Sequence, residues 1–122
     1  MQKYKVLDLF CGIGGFSYGF EMSDKFEVVA AADIWDVAIN TYKLNHINKD
    51  NIEILLQDLT ELNPMFWTKH KKNIDVIIAG PPCQGFSMSG KRDTNDKRNS
   101  LFEEVIKISE VITPKYVVIE NV

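Results

Sequence analysis

The chain has 122 residues, of which 45% are hydrophobic and 25% charged, with 14 basic against 17 acidic side chains and a formal net charge of −3. That is the make-up of one ordinary globular domain, near the lower end of the size an α/β fold takes. Net acidity weighs against a stand-alone nucleic-acid binder without excluding one, and no apolar run approaches the ~18 residues of a membrane span.

The first residues lead into a strand and not into the apolar core of a signal peptide, so the expected location is the cytoplasm. Residues 5–10 (KVLDLF) read as the first strand, running into a glycine-rich turn at 11–15 (CGIGG). A helix is expected from about Phe16, with Phe16 and Phe20 on one face, ending before Lys25. The second strand, 26–32, carries Asp33 at its carboxyl end, and a surface helix follows over 36–45 with Ala38 and Tyr42 four apart. A third strand, 52–56, leads to Asp58. Asn63 before Pro64 makes a good N-cap and predicts a short helix over 65–70. The fourth strand, 74–79 (IDVIIA), enters GPPCQGFS at 80–87, and a basic polar loop follows at 91–98. Ser100 and Glu103 have the capping-box spacing, and Leu101, Val105, Ile108 and Ile112 repeat at helical spacing until Pro114. The fifth strand, 116–119, ends in Glu120, Asn121 and Val122. There is no repeat, linker or low-complexity segment.

Strand alternating with helix predicts an α/β fold, a Rossmann-like parallel sheet of about five strands with flanking helices. The near-continuous apolar character of strands two and four fits burial on both faces. An equally apolar fifth strand would leave an open edge, which points to a missing remainder.

The loops after all five strands would lie along one edge of such a sheet, and each carries a polar or glycine-rich signature. The glycine turn falls short of a dinucleotide fingerprint, since Ser17 stands three after Gly14; a tight turn without a ligand is its other reading. Asp33 suits a ribose diol or a helix N-cap, and Asp58 an adenine amino group or a chain turn. Together they suggest a pocket for an adenosine-containing cofactor. Cys83, between the stiff Pro81-Pro82 pair and Gly85, is a thiol presented at a strand end. Glu120, at the tip of a strand adjacent to the fourth, is expected as a buried proton donor with a raised pKa. The alternatives are an inert buried cysteine and a solvated carboxylate. The basic loop is a backbone-contacting element or a solvated one. Cys11 and Cys83 lack metal-ligand spacing, and His46 and His70 lie in no ligand motif, so reduced thiols and no metal site are expected.

LDLFCGIGGFSYGF (7–20), Asp33, Asp58, GPPCQGFS and the terminal ENV, in this order and across nearly the whole chain, resemble the motifs of the S-adenosylmethionine-dependent DNA cytosine-5 methyltransferases. The resemblance implies a class I methyltransferase fold in which Phe10, Cys11, Gly12, Gly14, Gly15 and Phe16 turn around the cofactor's methionine end. It gives Asp33 the ribose hydroxyls, sets Ile34 against adenine with Asp58 and Leu59 bordering it, and puts Pro82 and Leu101 in the same pocket. It makes Cys83 the nucleophile toward a cytosine flipped from duplex DNA and Glu120 the acid engaging that base. Residues 87–98, with Ser87, Lys91, Arg92, Lys97 and Arg98, match the loop that closes over DNA. Family members continue beyond ENV with an arginine-bearing motif, a target-recognition region and a last helix. The expectation is therefore a partial catalytic domain, truncated after the fifth strand and weak or inactive alone, of restriction-modification type. Its implied partners are DNA and a C-terminal fragment or second subunit, with no membrane and no metal. Two further readings stand beside it: a non-catalytic cofactor- or partner-binding part of a split enzyme, and the transfer-RNA branch, which shares the proline-cysteine and ENV motifs. Residues 84–87 look more like the DNA-directed enzymes.

Overall fold

The computed structural model describes residues 2–46, 51–82 and 99–121. Strands and helices alternate as β1 (Tyr4–Leu9), α1 (Gly15–Met22), β2 (Phe26–Asp33), α2 (Asp36–Asn45), β3 (Glu53–Leu56), a 3₁₀ segment (Pro64–His70), β4 (Val76–Ala79), α3 (Asn99–Ile112) and β5 (Tyr116–Ile119). Every strand pairing is parallel, and the order across the sheet is β3-β2-β1-β4-β5. The chain starts in the middle, builds outward through β2 and β3, then crosses to the other side for β4 and β5. This is a Rossmann-like sheet whose direction of growth reverses between β1 and β4, the place where such folds open a crevice.

Side chains alternate along a strand, and in β1 this separates two apolar layers. Leu7 and Leu9 pack with Trp67 of the 3₁₀ segment and with Val105, Ile108 and Ile112 of α3. Val6 faces the opposite layer with Ile39 and Tyr42 of α2, where Phe16 and Phe20 meet with ring centroids 5.7 Å apart. Burying one such side chain is worth about 1.5–3 kcal/mol relative to leaving it exposed, so these rows hold each helix to its face.

Asn63 caps as expected, its Oδ1 accepting the Met65 N–H at 3.0 Å. The segment it opens is 3₁₀ and not α. With only seven residues it closes tighter turns, Phe66 N–H to Asn63 O at 2.9 Å and Lys71 N–H to Thr68 O at 3.0 Å, which satisfy its ends. The Ser100 capping box falls outside the described side chains.

Two irregularities matter. β1 and β2 lose step once: Val6 pairs with Val28 but Leu7 with Ala30, leaving Val29 without a β1 partner. And β5, apolar as it is, leaves Tyr116, Val117 and Val118 exposed. Among the described residues no helix is long and apolar enough to cross a membrane, and no three His, Cys, Asp or Glu side chains gather as a metal-holding group.

Candidate cofactor and active site

Because the strands are parallel, the segments after β1, β2, β3 and β4 meet at one edge, where they border an open cavity of about 550 Å³. That is within the usual size of a small-molecule site. Phe10, Gly12, Asp33, Ile34, Asp58, Leu59, Pro82 and Leu101 line it, with Gln57, Thr60 and Gly80 completing the wall.

The turn after β1 is coiled through left-handed backbone at Phe10 (φ 56°), Gly12 (φ 55°) and Gly14 (φ 100°). For Phe10, which carries a Cβ, this costs about 1–3 kcal/mol and persists because neighbours hold the turn. Cys11 N–H donates to Ala32 O at 3.0 Å and Gly12 N–H to Asp33 Oδ2 at 2.8 Å. Asp33 Oδ1 accepts the Trp35 N–H at 3.0 Å. Asp33 is thus not the N-cap of α2, whose cap residue is Trp35 and makes no side-chain bond. It bridges two loops, and each oxygen keeps a lone pair for a further donor. Asp58 Oδ1 takes both the Thr60 N–H at 2.9 Å and the Thr60 hydroxyl at 2.6 Å, an Asx-type turn at the cavity wall.

Four residues assigned to the cofactor by resemblance do not line this cavity. Cys11 is buried in the layer beneath α1 and α2, where burial and then the negative charges of Asp8 and Asp33 push its thiol well above the ordinary range. Gly14 and Gly15 border a separate cavity of about 200 Å³ with Tyr18, Glu21, Tyr42 and His46, and Phe16 packs on Phe20. A coiled turn has two sides: Cys11 and Phe16 face the core layer, Gly14 rests on Tyr42, and Gly15 is exposed.

Glu120 N–H donates to Ala79 O at 2.9 Å, which sets the β5 tip beside that of β4. Its side chain is exposed and not buried as expected, because it leaves the open-edge strand. A Cβ on Gly80 would stand in ordinary contact, 3.6 Å, from Glu120 Oε2, so the carboxylate lies beside the cavity wall. Cys83, Ser87, Lys91, Arg92, Lys97 and Arg98 lie outside the described residues; Pro82, the residue before Cys83, is on the wall.

Sequence reasoning missed Gln57 and Thr60, although both flank Asp58. It also missed a buried polar chain behind the turn. Ser17 Oγ donates to Asp8 Oδ2 at 2.5 Å and shares a 2.8 Å hydrogen bond with the Tyr42 hydroxyl. Burial pushes the Asp8 carboxyl up to about 7, against the opposing effect of the Ser17 bond. The available signal was a lone carboxylate within the apolar run of β1.

A sequence profile described as C-5 cytosine-specific DNA methylase matches residues 4–122. The chain belongs to this family. Within the C-5 cytosine-specific DNA methylases, it is 42% identical over 118 residues to type II methyltransferase M.DdeI of Desulfomicrobium norvegicum, covering 96% of this chain and 27% of that protein. It is 43% identical over 118 residues to type II methyltransferase M.HgiGI of Herpetosiphon aurantiacus, covering 97% and 90%. The crystal structure of a Spodoptera frugiperda DNMT2 mutant superposes with a TM-score of 0.72 at 36% identity, over 98% of this chain and 36% of that one. This C-5 cytosine-specific DNA methylase chain therefore spans only a minor part of M.DdeI and of the insect protein, and most of M.HgiGI.

Proposed function

We propose that this chain is the cofactor-binding half and catalytic-cysteine loop of a DNA (cytosine-5) methyltransferase catalytic domain, which uses S-adenosylmethionine and attacks cytosine through Cys83. The observation that carries the reading is that Phe10, Gly12, Asp33, Ile34, Asp58 and Pro82, from four strand tips, converge on one cavity with Glu120 beside it.

The donor set fits an adenosine linked to a cationic sulfur. Asp33 retains acceptor capacity for ribose hydroxyls and Asp58 for an adenine amino group, while Ile34, Leu59 and Leu101 offer apolar surface to a purine. Bound there, S-adenosylmethionine supplies an electrophilic methyl group. The chain's own residues make cytosine able to take it. C5 of cytosine is a poor nucleophile, so the Cys83 thiolate adds to C6 while Glu120 protonates or hydrogen-bonds N3, and the electron pair moves to C5. After methylation, loss of the C5 proton restores the double bond and expels the thiolate. The base leaves the duplex to reach Cys83, and Lys91, Arg92, Lys97 and Arg98 neutralise phosphates that the chain's net charge of −3 would repel.

Covalent trapping tests this. Fluorine at C5 cannot leave as a proton, so 5-fluorocytosine DNA with cofactor gives a lasting adduct. The expected result is an adduct with the unmodified chain and none with Cys83→Ser; an adduct that survives the substitution overturns the role of Cys83. Failure of the unmodified chain to bind S-adenosylhomocysteine by calorimetry overturns the reading of the cavity.

The exposed apolar face of β5 favours a second reading, in which the chain is one part of a split enzyme. Tyr116 and Val118 border an apolar cavity of about 500 Å³ with Tyr4, Phe20 and Phe26, at the end of the sheet away from Asp33. In that case the adduct forms only when a C-terminal partner polypeptide is supplied.

A further inference from the structure

The glycine turn rests on a side chain that no motif singles out. A Cβ at Gly14 would meet Tyr42 Cδ2 at 2.8 Å and Cε2 at 2.9 Å, so the Gly14 backbone lies directly on the Tyr42 ring. The ring is held in place. Tyr42 is buried, stacks on His46 with centroids 5.0 Å apart, and is latched through its hydroxyl to Ser17 Oγ at 2.8 Å. Ser17 in turn donates to Asp8 Oδ2 at 2.5 Å, which ties β1, α1 and α2 together beneath the turn.

Filling space alone does not account for a tyrosine here. A phenylalanine would pack the same layer without burying a hydroxyl, and a buried hydroxyl costs free energy unless it is hydrogen-bonded. The Ser17 bond anchors the tip of the ring on which Gly14 rests. On the other side of the turn, Asp33 Oδ2 holds the Gly12 N–H at 2.8 Å. Asp33 ends β2 and Tyr42 lies on the helix that follows, so one strand-helix unit grips the turn twice. The grip is polar at Gly12 and packed at Gly14.

We propose that Tyr42 is a positioning residue for the cofactor site: its ring and its bond to Ser17 set the conformation of the 11–15 turn, and with it the placement of Phe10 and Gly12 in the cavity. This rests on reading that cavity as a cofactor site. Tyr42 is absent from the cavity wall and acts only through the turn.

The test compares Tyr42→Leu, Tyr42→Phe and, as a core variant on the opposite face of the sheet, Ile108→Ala. Two measurements are made where all three are folded: amide hydrogen exchange at Gly12, Gly14 and Tyr18, and calorimetric binding of S-adenosylhomocysteine. Tyr42→Leu is expected to lose about tenfold or more in both turn protection and affinity. Tyr42→Phe, which keeps the ring but loses the bond to Ser17, falls between Tyr42→Leu and the unmodified chain, with severalfold faster exchange at Gly14, and Ile108→Ala keeps both despite a lower melting temperature. Turn protection in Tyr42→Leu that falls no further than in the rest of the chain overturns the proposal, as does undiminished affinity. Should Tyr42→Leu not fold, Ser17→Ala releases the hydroxyl and spares the ring: severalfold faster exchange at Gly14 supports the proposal and unchanged exchange refutes it. An unmodified chain that does not bind S-adenosylhomocysteine defeats the cofactor reading alone, and exchange still decides whether Tyr42 holds the turn.

Discussion

Asp8 makes stability depend on pH in a way that one substitution isolates. It is fully buried beneath α1, its Oδ1 has no hydrogen-bond partner, and burial lifts its pKa from 3.8 to about 7. In the unfolded chain it titrates near the ordinary value of about 3.9. Between those two values the folded chain holds a proton that the unfolded chain has released. The associated stability is fully present below about pH 4 and is lost as pH rises through about 7, at about 1.4 kcal/mol per pH unit. Over the whole interval the loss is on the order of 4 kcal/mol, large beside the 5–15 kcal/mol that holds a typical domain together. Asp8→Asn keeps the shape and an acceptor for Ser17 but removes the titration. Urea denaturation followed by circular dichroism, at steps from about pH 5 to about pH 8, should show the unmodified chain losing stability relative to Asp8→Asn until about pH 7, then no further divergence. Other titrating groups are common to both chains and cancel in the difference. Parallel stability curves would refute the reasoning.

Asp33→Ala frees the N–H groups of Gly12 and Trp35 and removes the ribose acceptor; since hydrogen bonds to a charged group are worth about 1.5–3 kcal/mol, S-adenosylhomocysteine affinity should fall about tenfold or more in calorimetry. Unchanged affinity would remove Asp33 from the site. Trp67→Ala empties the contact between the 3₁₀ segment and α3 and should cost about 3–5 kcal/mol in urea denaturation, whereas a loss below about 1 kcal/mol would show that α3 is anchored elsewhere.

Much of the site was legible because its geometry follows from a simple rule. Short β-branched strands that run parallel share a carboxyl edge, so Asp33, Asp58 and Pro82, distant in the chain, meet there. The expected neighbourhood of the fourth and fifth strands is borne out by the Ala79 to Ile119 pairing. The sides of the glycine turn were not legible. Hydrophobic periodicity carries no information about left-handed backbone at Phe10 or Gly14, and it is that coil which turns Cys11 and Phe16 toward the core and sets Gly14 on Tyr42. Asp8 and Glu120 were hidden for opposite reasons. The alternation Leu7-Asp8-Leu9 reads as a carboxylate facing out, yet α1 covers it, while Glu120 follows an apolar strand and is nonetheless exposed, because β5 lies at an open edge. Both depend on which element is laid over which strand, information that resides in tertiary packing.

The unpaired Val29 gives the site a parity. Val29 and Ala30 both pack toward the α3 layer, so the alternation of β2 is reset there, and Ala31 and Ala32 fall in step with Asp8 and Leu9 of β1. Asp33 then arrives where its carboxylate meets Gly12. Deleting one residue from this strand would barely change its hydrophobicity or its strand propensity, yet it would turn the downstream side chains to the opposite layer or drag the pairing with β3 out of register. Among chains that share this turn and aspartate, single-residue insertions or deletions within β2 should therefore be rarer than substitutions there, since a substitution changes one contact and a frame change inverts a face.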